Sequence, residues 1–532
     1  MGRDVARSGS DGSAPPAPGI VGGAGRPGWW ERPPAREHLR VLLIVATAPL
    51  TLWLGSLVLR HEPLPIRDFG SQAAATVLLA CLATALVLAI HRLHLLSFPS
   101  LFLAVTFLFT CSPLILYRLE GVAAFRIWEF VDLTSVSLAM PVIMLGFSAF
   151  LLGALLLPTG DGRPTPAAPP PSPGEAPHER TLRRMGLGIY AACATLVVAA
   201  TLAGHGLAHA FEGGYSAYHG AKRAGDVSRF VGVSVTHLLP WSLLILAATS
   251  RTRRARRQVL LLTAPFVVAM LAVGDRGGPI ATVTVVASGL YLVGSRVGWG
   301  RALAIGLAIA FLIPTVLNLR QIPVSAWSRS TIADALANRV ENTNTYLDDP
   351  ISGFFVSMSS PYQTLMATVQ VVPLREGYHL GRDYLSSLAV ALPFRSVIFP
   401  LLGIAFDRLP PSQWVLLTLN PGRRAGPGYL QLAEAYLQFG AAGVAGLYLA
   451  LGWGLTRLWR RMLRMAWDPR LLAFCLILVM ETLLWVRNSS TFIVRAVAWG
   501  WVLIYVAPRI LAMLGGRSAR PLPAAVAAPA ER

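Results

Sequence analysis

The chain is short of charged residues and has almost no lysine. Only 14% of its 532 residues are charged, while 54% are hydrophobic; a soluble domain is typically about 25% charged. This composition argues against a soluble globular protein and indicates that most of the length forms apolar spans. Lys222 is the single lysine, so the net charge of +20 comes almost wholly from arginine. The arginines lie in short loops between apolar runs, which excludes nucleic acid as a partner and favours membrane lipids with anionic or phosphorylated head groups.

Cysteine is scarce too, and several chemical signatures are missing. The four cysteines all fall in apolar runs without a CxxC pair, so neither a disulfide framework nor a cysteine metal site is predicted. His205 and His209 share a helical face, but no third ligand has recognisable metal spacing, so we expect no metal site. A Walker A motif and a Rossmann fingerprint are also lacking, which leaves a cytoplasmic ATP- or nucleotide-sugar-driven reaction without support.

What the chain does have is a series of long apolar runs. About twelve of them are long enough to be transmembrane helices, so the predicted fold class is an all-α polytopic membrane protein with about twelve spans. The predicted spans are 41–59, 72–90, 99–117, 133–157, 185–205, 230–249, 259–273, 279–294, 302–317, 429–455, 471–486 and 491–514.

These spans divide the chain into seven regions. They are a disordered cytoplasmic tail (1–40), the first four helices (41–157), a Pro-rich cytoplasmic linker (158–180), helices five to nine (181–317), a large periplasmic loop (318–428), helices ten to twelve (429–514) and a cytoplasmic tail (515–532). The orientation follows from arginine-rich short loops, chiefly 251–257 and 457–470, which mark the cytoplasmic side. The long loop is arginine-rich too, but long loops translocate largely regardless of charge.

The region 318–428 is the longest run that is unsuited to a bilayer. It carries nine arginines interleaved with tyrosine and tryptophan. Loops this long without a function are uncommon, so we expect it to bind an anionic, lipid-borne substrate. Within it, Arg382 and His379 of the segment REGYHLGRDY are candidates for substrate binding.

Arg276 lies in GDRGGP, in a turn between two predicted spans. The glycines allow a tight turn and close approach to a ligand, and the following helix could direct its first N–H groups at an anion. The alternative is an Asp275–Arg276 pair that closes a hairpin turn.

Glu434 lies in the tenth predicted span, within GYLQLAEAYLQFGAAG, at about 9 Å from its outer end. Gln431, Glu434 and Gln438 share one helical face. An ionisable residue in a span is a functional-site hypothesis by default, so we expect Glu434 to act in binding or proton transfer. The alternative is a carboxylate paired structurally with an arginine of the outer turns.

Further arginines are predicted at the same membrane level as Arg276 and Glu434. Arg320, Arg487 and Arg495 could help to clamp a pyrophosphate, because guanidinium is planar, always charged and bidentate toward phosphate. Snorkelling at the interface or salt bridging are the alternatives. Tyr436 and Tyr215 complete the candidate substrate contacts, the latter in the polar segment EGGYSAYHGAKR.

Four segments carry a resemblance to a known family. GDRGGPI, NLRQ about forty residues later, and GYLQLAEAYLQFGAAG resemble the Wzy family of O-antigen and oligosaccharide repeat-unit polymerases, and WVRNSSTFIVR is similar to the arginine-bearing end of those proteins. The resemblance covers residues 212–501, and its most specific part is the pattern E-A-Y-x-x-F-G at 434–440.

The resemblance implies a GT-C-type glycosyltransferase of the bacterial inner membrane, without metal or cofactor and with a periplasmic active site. Such enzymes move a growing glycan from undecaprenyl pyrophosphate onto a new lipid-linked repeat unit, and a chain-length regulator is a possible partner. By resemblance, Arg276 and Arg320 correspond to the family's arginines near the pyrophosphate, and Glu434 corresponds to its acidic residue. A direct displacement would invert the anomeric configuration.

Two other classes stay open at this point. An O-antigen ligase shares the donor chemistry but uses a lipid core as acceptor; such ligases carry a histidine in the outer loop, which His379 matches, whereas the E-A-Y-x-x-F-G pattern argues against a ligase. A non-enzymatic flippase would favour charges along a central path and inverted repeats. Here the candidate charges gather on one side, and no internal repeat is visible.

Overall fold

The computed structural model describes most of the chain. The described residues are 33–121, 133–159, 177–205, 207–209, 211–214, 217–218, 237–272, 274–275, 277–294, 300, 303–304, 306, 319, 322–336, 350–391, 414, 428–465 and 467–514. Arg276, Arg320 and Tyr215 lie outside them, as do both predicted tails except for residues 33–40.

Every regular secondary-structure element among the described residues is helical, which confirms the all-α class. The α-helices are α1 (Pro33–Arg60), α2 (Phe69–His91), α3 (Phe98–Glu120), α4 (Leu133–Leu155), α5 (Pro177–Leu202), α6 (Leu239–Ala248), α7 (Arg253–Ala272), α8 (Gly277–Leu292), α9 (Arg329–Leu336), α10 (Pro350–Ser359), α11 (Tyr362–Val371), α12 (Arg382–Ala391), α13 (Gln431–Met465), α14 (Pro469–Trp485), α15 (Thr491–Trp501) and α16 (Ala507–Leu514). A π-helical turn, Val502–Val506, joins α15 to α16.

Eight helical stretches among the described residues are long and apolar enough to cross a membrane. They are α1 to α5, α7, α13 and the run from α15 into α16, while α6 and α8 are shorter apolar helices. The chain is therefore a multi-pass membrane protein. The number of twelve spans stays a prediction, because the ninth predicted span, 302–317, falls almost entirely outside the described residues.

Helix α4 is the central helix of the bundle. It packs against α1, α2 and α13, and 89% of its most apolar window is buried, against 22–33% for α1, α2 and α5. Small residues permit a close approach of α4 to α13: a Cβ added to Gly153 would lie 2.0 Å from the Leu449 carbonyl oxygen, and one added to Gly452 would lie 2.1 Å from the Phe150 carbonyl oxygen. The two backbones are thus in direct contact at these glycines.

Helix α13 is broken in the middle of its most distinctive sequence. Its 35 residues would span roughly 52 Å as a straight helix, well beyond the apolar thickness of a bilayer. The break falls at Phe439, with φ −142°, and Gly440, with φ +60° and ψ −140°. It separates a short, buried N-terminal part from a long C-terminal part.

The predicted periplasmic loop is not a loose connection in its described part. Helix α10 packs against α3, and α11 packs against α4 and α13. The Thr364 hydroxyl accepts a hydrogen bond from the Leu430 N–H at 3.0 Å, and Tyr362 is fully buried. These helices therefore hold the N-terminal part of α13 in place, and the side of the membrane on which they lie stays a prediction.

Candidate active site

Glu434 joins α13 to the turn between α14 and α15. Its Oε2 atom accepts hydrogen bonds from the Trp485 indole N–H at 2.7 Å and from the Ser490 backbone N–H at 3.0 Å. Its Oε1 atom accepts one from the Ser490 hydroxyl at 2.8 Å. The side chain is fully buried, and these hydrogen bonds compensate the cost of burying a carboxylate. Among the described residues, the partners of Glu434 are therefore Trp485 and Ser490 rather than an arginine.

The same turn carries Arg487. The backbone carbonyl of Arg487 accepts a hydrogen bond from the Tyr429 N–H at 2.8 Å, which ties the turn to the start of α13. A Cβ added to Gly428, which has φ +93°, would lie 2.6 Å from that carbonyl oxygen, so only glycine permits this approach. The guanidinium carbon lies 5.9 Å from the centre of the Phe109 ring. The turn therefore places Arg487 close to Glu434 and aims its side chain toward α3.

Arg487 lines an apolar cavity of about 160 Å³. Helices α3, α8, α10 and α14 supply most of its walls. The lining residues are Val105, Leu108, Phe109, Gly277, Ile280, Ala281, Thr284, Gly306, Phe354, Met358, Leu483, Leu484, Arg487 and Asn488. Among the described lining residues, Arg487, Asn488 and Thr284 carry polar side chains, and the others are apolar. This arrangement suits a ligand with a long apolar tail and an anionic head.

The start of α8 borders this cavity through Gly277. Asp275 Oδ1 accepts hydrogen bonds from the Gly277 N–H at 3.0 Å and from the Gly278 N–H at 3.4 Å. The Asp275 carboxylate therefore caps the start of α8. These two N–H groups are bound within the chain and do not face a ligand anion. Arg276 itself lies outside the described residues, and its role stays a prediction.

A second polar cluster lies at the break in α13. The His379 Nδ1 atom lies 2.7 Å from Asp383 Oδ2, and the Gln438 side-chain amide donates to the same oxygen. The backbone N–H groups of His379 and Leu380 donate to the carbonyls of Leu437 and Gln438, at 3.0 Å and 2.9 Å. The break leaves these two carbonyls without N–H partners from their own helix. The segment around His379 can therefore donate hydrogen bonds to them.

Two more predicted residues belong to the surroundings of this break. Arg382 is the first residue of α12 and is exposed. Tyr436 is buried, and its hydroxyl donates to the Val372 carbonyl at 3.3 Å, while its ring packs edge-on against Tyr378. The predicted contacts of Arg382 and Tyr436 with substrate stay predictions.

Tyr384 of α12 lies between the two clusters. Burial raises the pKa of its hydroxyl, and the nearby carboxylates of Glu434 and Asp383 raise it further. The hydroxyl therefore stays protonated at neutral pH. Ser387, one turn further along α12, has its hydroxyl 2.8 Å from that of Ser490. Helix α12 thus links the break in α13 to the turn that carries Glu434 and Arg487.

Arg495 belongs to a third cluster. Its Nη1 atom donates to His237 Nε2 at 3.3 Å, and His237 Nδ1 in turn donates to Glu481 Oε1 at 3.1 Å. The Trp241 indole N–H donates to the same carboxylate oxygen at 2.7 Å. Glu481 and His237 were not among the predicted site residues, although a carboxylate in the apolar run FCLILVMETLLW is a signal that could have revealed Glu481.

The predicted site residues are therefore distributed over neighbouring clusters. The turn that carries Arg487 is bound to Glu434 through Ser490. His379 and Arg382 lie at the break in α13, and Arg495 bonds to His237, which precedes α6 and links it to Glu481 of α14. In the part of the chain that the structure describes, no three His, Cys, Asp or Glu side chains form a group that could hold a metal ion.

Comparison with known proteins identifies the family. The model of the O-antigen polysaccharide polymerase Wzy family matches residues 66–514, which confirms the resemblance seen in the motifs. No curated protein and no solved structure was found to match the chain. Since the matched region covers most of the 532 residues and includes every described cluster, the chain belongs to the Wzy family of O-antigen polysaccharide polymerases.

Proposed function

We propose that this protein polymerises undecaprenyl-pyrophosphate-linked oligosaccharide repeat units at the periplasmic face of the bacterial inner membrane. It would act as an inverting GT-C-type glycosyltransferase that uses neither metal nor cofactor. Membership of the family supports the polymerase class. The observation that carries the proposal is the apolar cavity whose wall includes Arg487.

The cavity suits the donor lipid. Its aliphatic and aromatic walls match a polyprenyl chain, and Arg487 can pair with a pyrophosphate through two parallel hydrogen bonds. Burial among apolar side chains strengthens such a charge pair relative to water. Arg276 and Arg320 are proposed as further pyrophosphate ligands, the former next to Gly277 of the cavity wall.

The proposed reaction is a single displacement at the anomeric carbon of the donor glycan. The acceptor hydroxyl of the incoming lipid-linked repeat unit loses its proton and its oxygen bonds to that carbon. The bond from the carbon to the pyrophosphate oxygen breaks, and its electron pair stays on the pyrophosphate. Guanidinium groups at that oxygen stabilise the charge that develops there, which is where such a site gains most of its rate.

Glu434 was predicted to orient or to deprotonate the acceptor hydroxyl. Its hydrogen bonds with Trp485 and Ser490 fix the turn that carries Arg487, and they favour a positioning role over a direct contact with the acceptor hydroxyl. We therefore propose that Glu434 acts on the substrate through that turn. Arg382, His379, Tyr436 and Tyr215 are proposed sugar or pyrophosphate contacts, and Arg495 is proposed to act from its own cluster. A chain-length regulator is a proposed partner.

Purified protein in liposomes with native undecaprenyl-pyrophosphate-linked repeat units, in EDTA, tests the function. We expect a ladder of polymers from the unsubstituted protein and inverted linkages by NMR. We expect Arg487→Ala to lose about 100-fold in rate, as for removal of one oxyanion-stabilising donor. The matched control is Arg457→Ala, because Arg457 is an exposed arginine of α13 that lies over the Trp453 ring.

Each other result points to a different class. Transfer to a lipid core without lengthening would indicate a ligase, and relocation of lipid without a new bond would indicate a transporter. Polymer formed only after addition of a divalent metal would contradict the metal-independent mechanism. Equal rates for Arg487→Ala and Arg457→Ala would remove Arg487 from the donor site.

A further inference from the structure

We infer that the break in α13 forms the acceptor-sugar subsite, where His379, oriented by Asp383, takes the proton from the acceptor hydroxyl. The inference rests on the proposed function and deepens it, because a glycosyl transfer to a hydroxyl needs a proton acceptor that the donor cavity does not supply. Among the described residues, none of those that line the cavity belongs to this segment.

The geometry of the pair is that of an oriented base. His379 Nδ1 lies 2.7 Å from Asp383 Oδ2, and the histidine side chain is 23% exposed whereas that of the aspartate is 11% exposed. With Nδ1–H directed at the carboxylate, Nε2 carries the lone pair. The imidazole is thus open to a substrate while its partner is shielded from solvent.

The pair is held rigidly on both sides. Gln438 is fully buried and donates to the Asp383 carboxylate, while the Asp383 N–H donates back to the Gln438 side-chain oxygen at 3.4 Å. The His379 backbone is bound to the Leu437 carbonyl. A base that is fixed in this way loses little freedom when a sugar binds.

The surroundings suit a saccharide that arrives on a lipid. The Trp414 ring stands edge-on to the imidazole at 5.7 Å, and its indole N–H is held by Glu376 Oε2 at 3.0 Å, so a flat aromatic surface adjoins the base. Next to it, Leu380 is 71% exposed and Phe439 is 44% exposed. Exposed apolar side chains beside the exposed Arg382 match a lipid-linked pyrophosphate.

In the proposed step the acceptor O–H bond breaks and its proton moves to His379 Nε2. An electron pair of the acceptor oxygen then forms the bond to the anomeric carbon of the donor. The carbon–pyrophosphate bond breaks and the polyprenyl pyrophosphate leaves with that electron pair. Asp383 stabilises the imidazolium without taking its proton. Glu434 is a weaker candidate for this step, because it is fully buried and already accepts hydrogen bonds from Trp485 and Ser490.

The test is single-turnover transfer to a synthetic lipid-linked acceptor in liposomes. We expect His379→Ala and His379→Gln to slow transfer about 10²–10³-fold, within the usual contribution of a general base. We expect Asp383→Asn to slow it less, because asparagine can keep the hydrogen bond but not the charge. Photo-crosslinking of a polyprenyl-pyrophosphate donor should be unchanged. The matched control is His38→Ala, since His38 is an exposed histidine of α1.

Added imidazole should partly restore transfer by His379→Ala, a readout that a purely structural histidine would not show. If His379→Ala does not fold, the transfer rates of His379→Gln and Asp383→Asn test whether His379 is the base. The inference is overturned if the folded variants transfer within threefold of the unsubstituted protein, or if they lose donor crosslinking in parallel with transfer. An inactive unsubstituted protein would instead contradict the proposed function itself.

Discussion

Gly440 lies directly against the ring of Tyr378: a Cβ added to Gly440 would be 2.8 Å from the Tyr378 Cζ atom. The φ and ψ of Gly440, +60° and −140°, also belong to a region that is essentially restricted to glycine. Gly440, the glycine of the E-A-Y-x-x-F-G pattern, therefore permits the break in α13. It lets the segment that bears His379 bind to the freed carbonyls.

We predict that Gly440→Ala destabilises the fold by about 1–3 kcal/mol and lowers polymerisation, because it pushes Tyr378 and the His379 segment away from α13. Thermal unfolding in detergent and the polymer assay measure the two effects. Gly446→Ala is the matched control on the same helix, since a Cβ there would meet nothing within 4 Å. Equal melting temperatures for the two variants would contradict the proposed role of the break.

The contacts of Glu434 lead to a second prediction. Trp485→Phe should cost about 1–3 kcal/mol, because it removes one donor from a buried carboxylate. Glu434→Gln, which keeps an acceptor oxygen, should retain more transfer activity than Glu434→Ala. If Glu434→Gln is as inactive as Glu434→Ala while both remain folded, the carboxylate is the proton acceptor and its positioning role is wrong.

The apolar cavity leads to a third prediction. Thr284→Phe should fill part of it and raise the KM for the polyprenyl donor about tenfold, since losing about two buried methylenes costs roughly that much in affinity. The kcat should change little, because Thr284 is remote from the proposed base. Leu261→Phe is the control, as Leu261 is 74% exposed on α7. An unchanged KM for Thr284→Phe would exclude this cavity as the donor site.

A fourth prediction concerns the contact between α4 and α13. Gly153→Ala should lower the free energy of unfolding by about 1–3 kcal/mol, because the added methyl group collides with the backbone of Leu449. Gly454→Ala is the control, since it has open space around it. Equal denaturation midpoints for these two variants would show that α4 and α13 lie further apart than described.

The cluster around Arg495 leads to a fifth prediction. Glu481→Ala leaves the indole N–H of Trp241 and the Nδ1–H of His237 buried without their acceptor, which costs about 1–3 kcal/mol for each unsatisfied group. We expect a lower melting temperature than for Glu62→Ala, which changes an exposed residue of the loop after α1. A melting temperature equal to that of the control would show that the cluster contributes nothing to stability.

Much of the fold and part of the site follow from local sequence. Twenty or so consecutive apolar residues specify a membrane helix wherever they occur, which is why the predicted spans from α1 to α5 agree with the described helices. Glu434 and Arg487 were found because an ionisable side chain within or beside an apolar run is conspicuous by itself.

Local sequence could not predict the clusters that link distant segments of the chain. Asp383 and Gln438 are 55 positions apart, and His237 and Glu481 are 244 apart, so no local pattern marks them as partners. Arg487 and Arg495 are only eight positions apart, yet they belong to different clusters. The turn before α15 directs Arg487 toward Phe109 of α3, and α15 directs Arg495 toward His237.

The membrane class, most of the helices, the candidate charges and the family can be predicted from sequence, because each depends on composition or on residues close together in the chain. The break of α13 at Gly440, the packing of α10 and α11 onto the bundle and the hydrogen bond between His379 and Asp383 became visible in the folded chain. These features depend on which backbone groups find partners when the helices pack, and that is a property of the assembled bundle rather than of any one segment.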